Sequence, residues 1–260
     1  MKHEPAQIKK LTSLIKKLKT RHKNVEAPPY DPTTQLIMAF LQADASRRKA
    51  EQAYSALMEH MVDNNELRVS HTEEIVEVIG DKYPRVYWRV ERMRESLNEV
   101  YRREHDFKMV KAATLNKKEQ RQYLDTLPGI TPYAAASVML LSFGGHAIPV
   151  DDKLNALLVR EGAIDDGLSC ADVETLLLRQ FKAGEQSVEA HLLLQAWSDS
   201  CKTPTQVLDA PEPSTIKVDA QRDDQKREPV KAAPAKKAAA STSEPVAKTT
   251  KKTTKRSKKK

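Results

Sequence analysis

Residues 127 to 154 read LPGITPYAAASVMLLSFGGHAIPVDDKL, the stretch of this chain best suited to chemistry. Leu127-Pro128-Gly129 ends one helical segment and Thr131-Pro132 opens another. The second helix would turn its free backbone N–H groups and its positive dipole end outward, which is a seat for phosphate. A Pro-Gly turn is equally the bend of an ordinary helical hairpin, with Ala134, Ala135 and Ala136 packing closely. Further on, Gly144-Gly145 can end the second helix and Ile148-Pro149-Val150 can connect it onward. Asp151-Asp152 then stands where the next helix starts, ahead of Leu154, Leu157 and Leu158. An aspartate in that place is ordinarily a cap. The alternative is a carboxylate poised beyond a grip on phosphate.

These residues must be positioned by helices, because apolar residues recur at helical spacing almost everywhere before residue 208. Ile8, Leu11, Leu14, Ile15 and Leu18 form one stripe, with Lys9, Lys10, Lys16, Lys17 and Lys19 on the other faces. The same period predicts helices over about 33–43 and 47–61. The opening stretch predicts two more, from 115 or 116 to about 126 and from 133 to about 142. Asp31-Pro32 reads as an N-cap followed by a proline at the first helical position. Ser70 with Glu73, Asn116 with Glu119, and Ser169 with Asp172 have the spacing of capping boxes. No run alternates with period two, and with 7 Gly and 5% aromatic residues an all-α fold is expected.

Charge divides the chain into three parts. Residues 1–24 carry eight basic residues against Glu4, which suggests a basic amphipathic helix packing on the core. Residues 25–208 carry 21 Lys/Arg against 28 Asp/Glu, and residues 209–260 carry 15 against 7. The last part is Lys, Ala, Pro, Thr and Ser with few large apolar residues, so it is expected to stay disordered. A flexible polycation of this kind binds polyanions by counterion release, which points to nucleic acid. Cys170 and Cys201 are too few for a disulfide framework and match no zinc or iron-sulfur spacing. The longest strongly apolar run, 134–143, is half a bilayer span, and the first ten residues lack a signal-peptide core. A soluble, monomeric, cytoplasmic protein without membrane contact is expected, at the nucleoid if the source is bacterial.

Taken whole, LPGITPYAAASVMLLSFGGHAIPVDDKL resembles the helix-hairpin-helix and Gly/Pro-Asp region of the endonuclease III superfamily of DNA glycosylases. That family has a Leu-Pro-Gly-Val-Gly hairpin, an Ala-rich helix, and a Pro/Val-Asp segment bearing its essential aspartate. A weaker resemblance extends over about residues 28 to 201. It runs through Leu41-Gln42-Ala43-Asp44-Ala45-Ser46, Arg89-Val90-Glu91-Arg92-Met93 and His191-Leu192-Leu193-Leu194. The resemblance implies a two-lobed helical glycosylase fold over residues 25–208, and double-stranded DNA as the partner. It makes Asp151 the catalytic aspartate and Asp152 its capping neighbour. It also assigns Gly129, Ile130, Thr131, Tyr133 and Ala134 to DNA contact.

Several positions depart from the family. The second hairpin glycine is Thr131, whose hydroxyl can take the Ala134 N–H for itself and so weaken the phosphate grip. Tyr133 stands where the bifunctional members carry the lysine that forms a Schiff base, so it would line the pocket instead. Lys153 is near in sequence but lies on the helix beyond the aspartate. The acid that adenine glycosylases place ahead of the Leu-Gln segment is matched by Met38. Cys201 falls where the first of four cluster cysteines would be and none follows it, so no iron-sulfur cluster, metal or other cofactor is expected. Asp44 stands near a position from which some members insert a glutamine into DNA, where an acid would face phosphates.

The expected function is a monofunctional DNA glycosylase of base excision repair, hydrolysing the N-glycosidic bond of a damaged or mispaired base without lyase activity. The alternative is a catalytically degenerate helix-hairpin-helix protein that binds DNA without turnover. A third reading, a helical interaction protein with a chance hairpin, would require Asp151 to lie far from the 129–134 turn.

Overall fold

The computed structural model describes residues 4–23, 25–181, 184–204 and 207; the basic segment 209–260 lies outside them. Among the described residues there are twelve helices and no strand. They assemble around two apolar cores, and the chain visits the second core twice.

The first helix, α1 (Glu4–Arg21), buries Leu11, Leu14, Ile15 and Leu18 in the second core. The chain then builds the first lobe without interruption from α2 (Pro32–Gln42), α3 (Arg47–His60), α4 (Asn64–Val69), α5 (Thr72–Ile79), α6 (Val86–Glu104), α7 (Val110–Thr114), α8 (Lys117–Asp125) and α9 (Pro132–Leu141). Ile148 and Val150 return it to the second core, completed by α10 (Asp152–Arg160), α11 (Cys170–Gln180) and α12 (Gly184–Ser200).

Two helices in the first lobe are buried on every side, α2 from Thr33 to Leu41 and α9 from Tyr133 to Leu140. A helix apolar all round has no face for water and must be central. They pack on each other, and Gln35 Nε2 donates to Ser137 Oγ at 3.0 Å between them.

Local capping follows the sequence closely. Asp31 accepts from the N–H groups of Thr33 and Thr34 at 3.0 and 3.1 Å. Asn116 and Glu119 form a reciprocal box at 3.0 and 3.1 Å, as do Ser169 and Asp172 at 3.1 Å each way. The box expected at Ser70 and Glu73 is displaced by one residue: Glu74 accepts from His71 N at 3.0 Å. Ser70 instead ends α4, its N–H donating to Glu66 O at 2.9 Å. The six-residue α4 is too short to announce itself by periodicity, and its C-terminus takes the serine.

Arg89 is the one arginine of α6 turned fully into the protein, 1 % exposed. Its guanidinium donates to the carbonyls of Phe40, of Ala43 at 2.9 Å and of Pro84 at 3.1 Å. It thereby satisfies carbonyls left open at the end of α2 and fixes the loop after it, which carries Asp44.

Candidate active site

A cavity of about 330 Å³ opens where the lobes meet. Phe40, Trp88 and Tyr133 contribute from the first lobe, and Val150, Asp151 and Asp152 from the second. Ile130, Thr131 and Pro132 of the hairpin line it too, so the hairpin and the aspartate share one site.

Asp151, and not Asp152 as expected, is the N-cap of α10, its Oδ1 accepting from Leu154 N at 2.8 Å, while Asp152 is the first helical residue. Its Oδ2 accepts from the backbone N–H of Asp44 at 2.7 Å. Asp44 answers in kind, Oδ1 accepting from Lys153 N at 3.1 Å. The loop after α2 and the start of α10 are therefore laced together by two carboxylates. Burial pushes the Asp151 carboxyl up to about 7, helped by the Asp44 charge and opposed by the two N–H donors. Asp44 is also raised, by burial and then by Asp152, against the pull of Lys153 N, Arg85 and Arg89.

Asp44 does not face outward as an acid near DNA phosphates would. It is 8 % exposed, and its Oδ2 accepts from Arg85 Nη1 at 3.2 Å; the same nitrogen reaches Asp152 Oδ2 at 3.3 Å. Both ends of the Asp44–Arg85 pair have left-handed backbones, with φ of 56° and 50°. Such backbone costs energy in a non-glycine residue and is held only where surrounding contacts over-determine it, often at functional sites.

The hairpin is held by α6. Ser96 Oγ donates to Pro128 O at 2.7 Å and Arg92 Nη1 to Gly129 O at 3.3 Å. Gly129 has φ of +74°, and a Cβ there would meet Arg92 O at 2.5 Å. Its close approach is therefore to the α6 backbone, a packing demand that the turn pattern alone does not reveal. Thr131 Oγ1 accepts from Ala134 N at 3.1 Å, as its N-cap position implied. Pro132 has no N–H, so the donors left at this helix start are the N–H groups of Thr131 and Tyr133, which bond to nothing among the described residues.

Tyr133 is buried, and its hydroxyl donates to Gln195 Oε1 at 3.3 Å on α12. Burial, with Asp151 behind it, holds its phenol well above the usual tyrosine range, so it stays neutral. Gln195 Nε2 donates in turn to Asp199 at 3.0 Å, and Asp199 also accepts from Arg47 N at 3.1 Å. Lys153 is 2 % exposed and does not line the cavity; Met38 is likewise buried away from it in the first core. No lysine is among the cavity's lining residues.

Several wall residues carry no motif. Trp88 stacks under the Arg92 guanidinium, 4.6 Å from the ring centre, and its buried indole N–H lacks an acceptor among the described residues. Cys170 lies against Asp152, Sγ to Oδ1 3.5 Å, with burial pushing its thiol up to about 12, so it is an unreactive wall. The only other cysteine, Cys201, follows α12. Two thiols cannot furnish a four-cysteine cluster site, and no step passes through one.

No family model matches this sequence, and no curated protein does. Solved structures do match. A trapped covalent intermediate of endonuclease III on DNA superposes with a TM-score of 0.56 at 16% identity, over 72% of this chain and 84% of the other. The Clostridium acetobutylicum 8-oxoguanine glycosylase/lyase bound to DNA gives 0.57 at 16% identity, over 76% and 71%. A thermostable thymine-DNA glycosylase gives 0.52 at 18%, over 73% and 86%. Together with the hairpin and the paired cores, these likenesses show that the chain has the two-lobed helical fold of those glycosylase structures.

Proposed function

We propose that this protein is a monofunctional DNA glycosylase that hydrolyses the bond between a damaged or mispaired base and its sugar in duplex DNA. The observation that carries the reading is the presence of Asp151 in the wall of the interlobe cavity, which Tyr133, Trp88 and the hairpin turn also line.

The N–H groups of Thr131 and Tyr133, at the positive end of α9, would hold a DNA phosphate next to Ile130 and Gly129. A base leaving the stack would enter the cavity between Phe40, Trp88 and Tyr133. As the bond from C1′ to the base nitrogen breaks, its electron pair leaves with the base and positive charge gathers on the sugar. The Asp151 carboxylate stabilises that charge and accepts the proton of the water that adds to C1′. The neutral phenol of Tyr133 cannot form a Schiff base, and the only lysine near Asp151 in sequence does not reach the cavity.

A second reading, DNA binding without turnover, draws on the Asp44–Arg85–Asp152 network, which places further carboxylate charge in the wall and spends Arg85 on it. Incubation with duplexes bearing uracil, oxidised, alkylated or mismatched bases, followed by alkali, separates the two. The glycosylase reading expects base loss from at least one duplex, strand breaks only after alkali, and no borohydride trapping. Base loss with efficient trapping would overturn the monofunctional mechanism, and binding with no base loss anywhere in the panel would leave the second reading standing.

A further inference from the structure

We propose that the outward face of α1 is a second contact surface for the phosphates of duplex DNA, distinct from the hairpin; the proposal rests on the duplex-binding reading above. Lys9, Lys10, Lys16, Lys17 and Arg21 are exposed on this helix, as is Lys23 beyond it. Among the described residues only Lys19 of α1 forms an ion pair, with Glu189 at 2.6 Å. The other cations go unpaired although residues 25–208, the body beneath them, carry 28 acids against 21 bases. No contact with an acid among the described residues of that body holds them in place. These are directed away.

Geometry suits a linear polyanion. Lys9 and Lys10 stand two turns from Lys16 and Lys17, which at 1.5 Å per residue is about 10.5 Å, with exposed Ser13 between them. From Lys9 to Arg21 the face runs about 18 Å, and duplex DNA presents a phosphate charge about every 1.7 Å of its axis. The face is also held rigid, because the opposite side of the helix, Leu11, Leu14, Ile15 and Leu18, is locked into the second core with α11 and α12. That arrangement argues against a membrane surface. A helix lying on a bilayer inserts its apolar side among the acyl chains, and here that side is already buried in protein.

The test compares the full chain with a Lys9→Gln, Lys10→Gln, Lys16→Gln, Lys17→Gln variant and with the matching quadruple arginine variant. Kd for an undamaged duplex is measured from 50 to 300 mM salt. All four side chains are exposed, so melting and circular dichroism should match across the three proteins. The glutamine variant should show a slope of log K against log salt shallower by about 2 to 4, and at least tenfold weaker binding near 150 mM. The arginine variant should behave as the unaltered protein. A glutamine variant with an unchanged slope overturns the proposal and turns attention to an acidic protein as the partner of this face. If the unaltered protein binds no duplex at any salt, the DNA reading fails with it, a result distinguishable from binding with an unaltered slope.

Discussion

The backbone N–H of Asp44 donates to the carboxylate of Asp151 at 2.7 Å, while the Asp44 carboxylate accepts from the backbone of Lys153, two residues beyond Asp151. Asp151 thus fixes the backbone at Asp44, Asp44 fixes the first turn of α10 at Lys153, and the Asp44 charge raises the cost of charge on Asp151. The ionisation of Asp151, on which the proposed chemistry depends, is set first by burial and then by a charge from the opposite lobe.

Base release should therefore rise with pH through about 7, where Asp151 ionises. Asp44→Asn keeps the backbone donor but removes the neighbouring charge, so the acidic limb should move down by about one pH unit. Single-turnover base release from pH 5.5 to 9 reads this directly. An acidic limb unmoved in Asp44→Asn would detach Asp44 from the ionisation of Asp151.

Stability carries the same signature. Because the Asp151 carboxyl is raised in the folded protein, the native state holds its proton more firmly than the unfolded chain between about pH 4 and 7. Stability from this group is present at the acid end and declines as pH rises through that window, in total by on the order of 4 kcal/mol. Urea midpoints of Asp151→Asn should fall less between pH 5 and 8 than those of the unaltered protein. Parallel curves would show that burial of this charge costs little.

Gly129→Ala should lose about 2 to 4 kcal/mol, combining left-handed backbone with overpacking against Arg92 O. A fall in the urea midpoint at constant slope measures it. A variant as stable as the parent would mean that α6 yields to the added methyl.

Trp88→Ala should reduce kcat/KM for a released base roughly tenfold or more while leaving affinity for undamaged duplex unchanged, since the ring lines the cavity and is not part of the hairpin. Equal loss of undamaged binding would place Trp88 on the docking surface.

Removal of residues 209–260, with 15 basic residues against 7 acidic, should weaken duplex binding and flatten its salt dependence. An unaltered log K against log salt line after truncation would take this segment out of the interface.

The parts of the site that were legible in sequence are the local ones. Asp31, Asn116 and Thr131 each cap a helix within three residues of themselves, and a cap needs only its own turn to be right, whereas the cap expected at Asp152 falls one residue earlier, on Asp151. Tyr133 is assigned to the pocket by the resemblance, as the residue at the family's lysine position. Phe40, Trp88, Arg85 and Arg92 were not foreseen, because a cavity wall depends on which way several helices face one another. Nor was the inward turn of Asp44, which depends on a left-handed backbone and on Arg85, 41 residues away. Gly129 was legible as a turn residue, but its tight fit against α6 belongs to packing.

The second lobe is split in the sequence, α1 at one end and α10 to α12 at the other, with the whole first lobe between them. During synthesis at about 5–20 residues per second, Leu11, Leu14, Ile15 and Leu18 wait on the order of ten seconds or more for Leu193, Leu194 and Trp197 to be made. The first lobe is contiguous and can fold in that interval, leaving α1 as a sticky, uncovered segment of the nascent chain. Protease cleavage within α1 on ribosome-bound chains ending before residue 184, and its protection once α12 has emerged, would reveal this order of assembly. The cavity is then the last feature to form, because the second lobe that carries Asp151 is complete only when α1 and α12 close on each other.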